Sequence, residues 1–387
     1  MNYFFRSLSL LLVASVSASA HEAGSFMAGV QSLDVTRSDQ RLHLLLGEAA
    51  KADAPAALSY VRSEDSGATW SKPVRVDLDN KPAAGLHRGM DAQVAAFGSY
   101  IVAVWQTAGT DSWGGGPMAT AFSSDLGQTW QRGPNPADDG STEGHNFIDI
   151  AADGKGDFHL VWLDTRNGKR GLRTAVSSDH GHTWSPNRTV DEETCECCWN
   201  TIAASPDGGA FVIYRDKSPR DMAVAALHDG ARAPAPVGSF KWEFPGCPHV
   251  GAGLSISPTD KALHATVWSG KDQKQGVYYL NSKDQGAQWS EPLQLGDNTA
   301  TNPDCAAGEK NMVVAVWNAP TKHAMTVKAS FSKDGGKSWS GPKTVSSLAA
   351  SATHPRVIST ALGFRIFWTS VEGTQLLWKS VPFEALQ

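Results

Sequence analysis

The run "TCECCWN" at residues 194–200 holds three of the chain's five cysteines, Cys195, Cys197 and Cys198, just ahead of Trp199. A fourth, Cys247, opens the triplet Cys247-Pro248-His249. Thiolates with an imidazole form a soft ligand set, which favours copper(I), with zinc as the second candidate. Two other chemistries could use the same residues. A Cys195–Cys247 disulfide would staple two segments, and unpaired thiols could do redox or nucleophilic work. Five is an odd number, so a monomer keeps at least one thiol unpaired.

The choice depends on which elements carry these residues. Five octads share one spelling: "SEDSGATW" (63–70), "SSDLGQTW" (123–130), "SSDHGHTW" (177–184), "SKDQGAQW" (282–289) and "SKDGGKSW" (332–339). Their starts lie 60, 54, 105 and 50 residues apart, and "ALHDGARAP" (226–234) falls in the long gap as a degenerate copy. Self-similarity at this period marks a repeat architecture. Within each octad Asp can accept hydrogen bonds from turn amides, Gly permits positive φ, and Trp packs between sheets. Ahead of each octad runs an alternating strand, often ending in Trp: 41–48, 101–107, 158–164, 210–216, 263–270, 312–319 and 365–370. These give seven units.

The octads resemble the Asp-boxes, or BNR repeats, of the sialidase superfamily. That resemblance covers most of residues 21–387 and implies one all-β propeller domain with the boxes on its outer rim. Seven units favour seven blades, whereas sialidases have six, which is the alternative count. The last unit ends without an outer strand, and residues just after His21 are expected to supply it and close the ring.

In a propeller the innermost strands of all blades converge on one channel mouth, so equivalent repeat positions meet in space. Aligning the inner strands puts Met90, His145, Cys197 and His249 at one position, with Cys195 and Cys247 two residues earlier. Cys305, Asp304, His354 and Met27 align more loosely. Cys195 and Cys197 share a face if the backbone is extended. Cys197 and Cys198 would then point to opposite faces, leaving one of them outside the ligand set. The expected metal ligands are therefore Cys195, Cys197, Cys247 and His249, with Cys198, His145, Met90 and Cys305 as alternates.

The resemblance also implies an alternative: an exo-sialidase or other glycoside hydrolase. Such an enzyme needs arginines to clamp a carboxylate, a Tyr/Glu pair and an Asp acid/base. Tyr214, Arg215, Asp91 and Arg356 are the candidates, with Arg88, Arg166, Arg220, Glu143 and Asp164 on plausible loops. The Arg-Ile-Pro motif that opens sialidase domains is missing, for no arginine stands between His21 and Arg37. The chain looks more like the bacterial sialidase-like propellers that carry Cys-x-Cys-Cys and a later Cys-Pro-His. A structural, partner-binding propeller held by disulfides is the remaining reading.

Residues 1–20 carry Arg6, an apolar run and Ala18-Ser19-Ala20, the pattern of a cleavable signal peptide. This predicts a periplasmic or secreted protein starting at His21, whose amine and imidazole could chelate a metal. Losing Arg6 moves the formal charge from −5 to −6. A mildly acidic chain without a basic block argues against nucleic-acid partners, and no later run is long enough to span a membrane. The expected partners are a metal ion and a periplasmic metal-handling protein.

Overall fold

The computed structural model describes residues 27–78, 83–109, 114–166, 168–228 and 230–384; the signal-peptide and His21 expectations lie outside them. Every regular element among these residues is a β-strand. The strands form five four-stranded sheets and one seven-stranded sheet. The large sheet joins two antiparallel groups through a parallel contact of Ala28 with Gln375 and Gly29 with Leu376. A count of antiparallel groups gives seven, and a count of hydrogen-bonded sheets gives six.

The first strand of each group packs on the first strand of the next. Ala28–Ser38 neighbours Gln93–Phe97, which is followed around the ring by Asn146–Ala152, Thr201–Ala204, Gly253–Ile256, Thr301–Ala307 and Ala352–Thr360. The last returns against the first, so the sheets surround a central channel as a β-propeller. Closure uses the start of the first inner strand itself. Gly29 is required there: its φ is +103°, and a Cβ would sit 2.1 Å from the Leu376 carbonyl oxygen.

The seven alternating segments are the second strands of their groups, for example Phe158–Arg166 and Leu263–Ser269. Their apolar residues fill the space between adjacent sheets. One such layer sets Leu45 and Tyr60 of the first group against Val94 and Trp105 of the second.

Each Asp-box is a closed hydrogen-bonded turn. In the first, Gly67 N–H donates to Ser63 Oγ at 2.8 Å and Thr69 N–H donates to Asp65 Oδ1 at 2.8 Å. Asp125, Asp179, Asp284 and Asp334 accept the matching amide bond in the other four boxes. The box glycine also docks neighbouring groups. A Cβ on Gly127 would stand 2.1 Å from the Tyr60 ring, and one on Gly336 would stand 1.8 Å from Tyr279 Oη.

Candidate functional site

The segment carrying the three close cysteines is tied to its own sheet at one end. Thr194 bridges Asp216, and Cys195 N–H donates to the Arg215 carbonyl at 3.0 Å. The chain then turns at Glu196–Cys197 instead of extending. That turn breaks the two-residue alternation of a strand, so Cys198 is not sent to the opposite face. Cys195 Sγ lies 3.7 Å from Cys197 Sγ and 3.4 Å from Cys198 Sγ, and all three residues are buried. The expectation that Cys197 and Cys198 diverge is thus corrected by the turn.

A second group forms across the gap between sheets. Cys197, Cys247 and His249 bring their ligand atoms within 4.8 Å of one another, as do Cys195, Cys197 and Cys198. Cys197 is common to both groups. Cys247 is half-buried and His249 exposed, so the second group lies nearer solvent. All five cysteines are thiols, and Cys195 has Cys197 and Cys198 as its sulfur neighbours, an arrangement unlike a Cys195–Cys247 staple.

Two arginines position these segments. Arg215 is buried under Trp242 and Trp268, with its guanidinium 5.5 and 5.8 Å from their ring centres. It donates to the carbonyls of Val250, Trp268 and Arg220. Arg220 donates to the Phe244 carbonyl at 3.2 Å and stands 3.4 Å from Glu196, which also pairs with Lys217. The cysteine turn and the Cys-Pro-His loop are therefore tied to one cationic pair. Hydrogen bonds from the Cys197 and Cys198 thiols, with Arg220 nearby, hold the Cys195 thiol well below the ordinary thiol range. The same sharing pushes Cys197 up, and burial first of all pushes Cys198 up.

Several expected site residues lie elsewhere. His145 is taken by a carboxylate and a backbone carbonyl, with Nε2 3.2 Å from Asp139 and Nδ1 2.9 Å from the Glu143 carbonyl. Asp139, His145 and Asp164 do form a close group. Arg166 and Arg173 donate to Asp164 at 2.9 and 3.1 Å, as does Trp162, so that carboxylate is already neutralised. Cys305 lines the channel and contacts the His264 carbonyl at 3.4 Å; burial pushes its thiol up. Met90 is half-buried in the turn His87–Met90.

The glycosidase candidates divide in the same way. Tyr214 is fully buried and donates to Asp191 at 2.6 Å, and Arg215 has its donors committed as described, so neither faces a cleft. Asp91 and Arg356 do line the channel mouth, together with Arg88, Gln93, Trp199 and His354. Arg88 pairs with Asp91 and donates to the His354 carbonyl at 2.9 Å. Below the mouth is a cavity of about 200 Å³ lined by Asp34, Asp149, Asp304 and Arg356. Burial pushes Asp149 up to about 7 and Asp304 up to about 6, while these carboxylates raise Arg356.

Trp199 joins the two regions. Its ring lies against Gly251, where a Cβ would be 2.3 Å away, and against Gly89. The His354 ring centre is 5.8 Å from that of the indole. Residues from three other groups thus meet around one indole at the channel mouth. The thiol turn immediately precedes it. Sequence alignment missed this role because the glycines that admit the indole carry no chemistry of their own.

Among solved structures, the chain is similar to a crystallised protein of unknown function from Dyadobacter fermentans DSM 18053. The match has 16% identity, covers 77% of this chain and 92% of that one, and gives a TM-score of 0.50. A PL25 ulvan lyase aligns at 11% identity over 92% of this chain and 97% of its own, with a TM-score of 0.58. Trypanosoma rangeli sialidase aligns at 11% identity over 80% of this chain and 56% of its own, with a TM-score of 0.51. At such identities the likeness is one of fold. No curated protein matches the chain by sequence. The family profile described as a BNR repeat-like domain matches residues 21–234, more than half of the chain, and with its Asp-box turns and radial sheets the chain belongs to that sialidase-like BNR family.

Proposed function

We propose that this protein binds a soft transition metal, copper(I) first and zinc second, for sequestration, buffering or delivery outside the cytoplasm. The observation that carries this reading is the convergence of Cys195, Cys197, Cys198, Cys247 and His249 into two ligand groups that meet at Cys197. The donor set fits the group: thiolate sulfur and imidazole nitrogen are what copper(I) and zinc prefer. Cys195, Cys197 and Cys198 would hold metal as one group, and Cys197, Cys247 and His249 as the other. The bound metal would supply Lewis acidity or be handed to a partner. The chain's own residues exclude water around the buried sulfurs and fix their spacing through Arg215 and Arg220. The signal-like residues 1–20 support export, with a periplasmic metal-handling protein as the partner class. The test is metal content and free-thiol count on protein purified from its export compartment. Stoichiometric copper that protects the thiols from alkylation until chelation supports the proposal. No metal, and no uptake of copper(I) after reduction, overturns it.

A second reading, carbohydrate processing at the channel mouth, is favoured by one observation. Gln93 Oε1 and Arg88 Nε are buried without hydrogen-bond partners beside Asp91 and Arg356. A polar ligand such as a uronic or sialic acid would satisfy both. Turnover of a glycoside panel that is lost in Arg356→Lys and kept in Cys197→Ser would support it.

A further inference from the structure

The five ligand residues do not form one set. Two ligands of a single ion, each bonded at ~2.3 Å, can stand at most ~4.6 Å apart. Cys195, Cys197 and Cys198 meet this limit, since Cys195 Sγ stands 3.7 Å from Cys197 Sγ and 3.4 Å from Cys198 Sγ, close to the ~3.8 Å edge of a tetrahedral thiolate shell. Cys197, Cys247 and His249 form a separate group, with their ligand atoms within 4.8 Å of one another. Only Cys197 belongs to both, and Cys247 and His249 are not grouped with Cys195 or Cys198.

Charge points the same way. Metal binding requires the thiols as thiolates, and Cys195, Cys197, Cys198 and Cys247 then carry four negative charges. Glu196 is matched by Lys217, leaving Arg215 and Arg220 as the cations beside the sulfurs. Two negative charges remain, and a largely buried site tolerates little net charge. One divalent ion on all four sulfurs would neutralise them, yet Cys247 stands outside the shell of Cys195 and Cys198. Two monovalent ions, one in each group, neutralise them without moving the sulfurs.

Resting on the metal-binding reading, we infer that the site is binuclear: it holds two copper(I) ions bridged by the Cys197 sulfur, the inner ion on Cys195, Cys197 and Cys198 and the outer ion on Cys197, Cys247 and His249. Loading releases to solvent the protons that the four sulfurs still hold as they take up two ions, and no electron is transferred. The outer ion, held by a half-buried thiol and an exposed imidazole, is the one open to exchange with a partner.

The experiment is an anaerobic titration of the reduced full-length mature protein with copper(I) against bicinchoninate, with native mass spectrometry as the count. Wild type is expected to take two ions per chain. His249→Ala and Cys198→Ser are each expected to keep one, Cys197→Ser to lose tight binding of both, and Cys305→Ser to keep two. His249 is exposed, so its variant reads the outer ion even where a buried cysteine variant does not fold. One ion in wild type, lost equally in His249→Ala and Cys198→Ser, overturns the binuclear inference while leaving metal binding intact. No ion in any protein overturns the metal-binding reading itself.

Discussion

Arg215 holds Val250 by two bonds, from Nε at 3.2 Å and Nη2 at 3.1 Å, while its own carbonyl accepts the Cys195 amide. One side chain therefore sets the distance between the cysteine turn and the residue following His249. Its guanidinium fork is the reason lysine is no substitute.

Arg215→Lys is expected to fold and to weaken copper(I) binding about tenfold, because an ammonium cannot keep the Val250 fork. Arg215→Met removes the bonds to the Val250, Arg220 and Trp268 carbonyls and should cost about 3–5 kcal/mol. Chelator competition and urea melts measure the two effects. Unchanged affinity in Arg215→Lys would show that the loop is positioned by something else.

Gly251→Ala should disturb the channel mouth, since its Cβ would fall 2.3 Å from the Trp199 ring. The expected signs are an altered near-ultraviolet circular dichroism spectrum and weaker copper binding, as Trp199 pulls on Cys198. Gly341→Ala, with nothing within 4 Å of the new Cβ, is the matched control. Equal behaviour of the two variants would refute the coupling.

Alkylation of the reduced metal-free protein should begin at Cys247, the half-buried thiol, ahead of the four buried ones. Peptide mapping over a time course reads the order. Copper(I) should protect Cys247 and leave the slow rate of Cys305 unchanged. A Cys305 that gains protection would place it in the metal site after all.

Acid should affect stability in two opposing ways. Burial lowers His43 and His264 to about 4 and His354 to about 3. Each depressed pKa contributes stability that is present above the ordinary histidine value and is lost as pH falls through that value toward 3–4. Asp149 is raised to about 7, so its contribution runs oppositely: full below the ordinary carboxylate value and lost as pH rises toward 7. The melting temperature of Asp149→Asn should therefore rise relative to wild type between pH 5.5 and pH 7.5, by about a few degrees. A difference between the two melting temperatures that does not vary with pH would contradict the assignment.

The octads and the alternating strands were legible in the sequence because their bonds are local. Ser63, Asp65, Gly67 and Thr69 satisfy one another within seven residues, so spelling and geometry coincide. The meeting of Cys197 with Cys247 and His249 was also legible, since a repeat period converts into spatial equivalence once the ring closes. The fate of His145 was not, because Asp139, brought within hydrogen-bonding distance by the preceding loop, outcompetes a distant thiol for its imidazole. Nor was the turn at Glu196–Cys197, which reverses the strand rule and gathers three sulfurs. Backbone direction there follows from Arg215 and Arg220 gripping two segments at once. The sequence by itself determined the repeating turns, the strands and the soft donor types. Tertiary structure alone decided which donors lie together, because that depends on charged side chains reaching across sheets far apart in the chain.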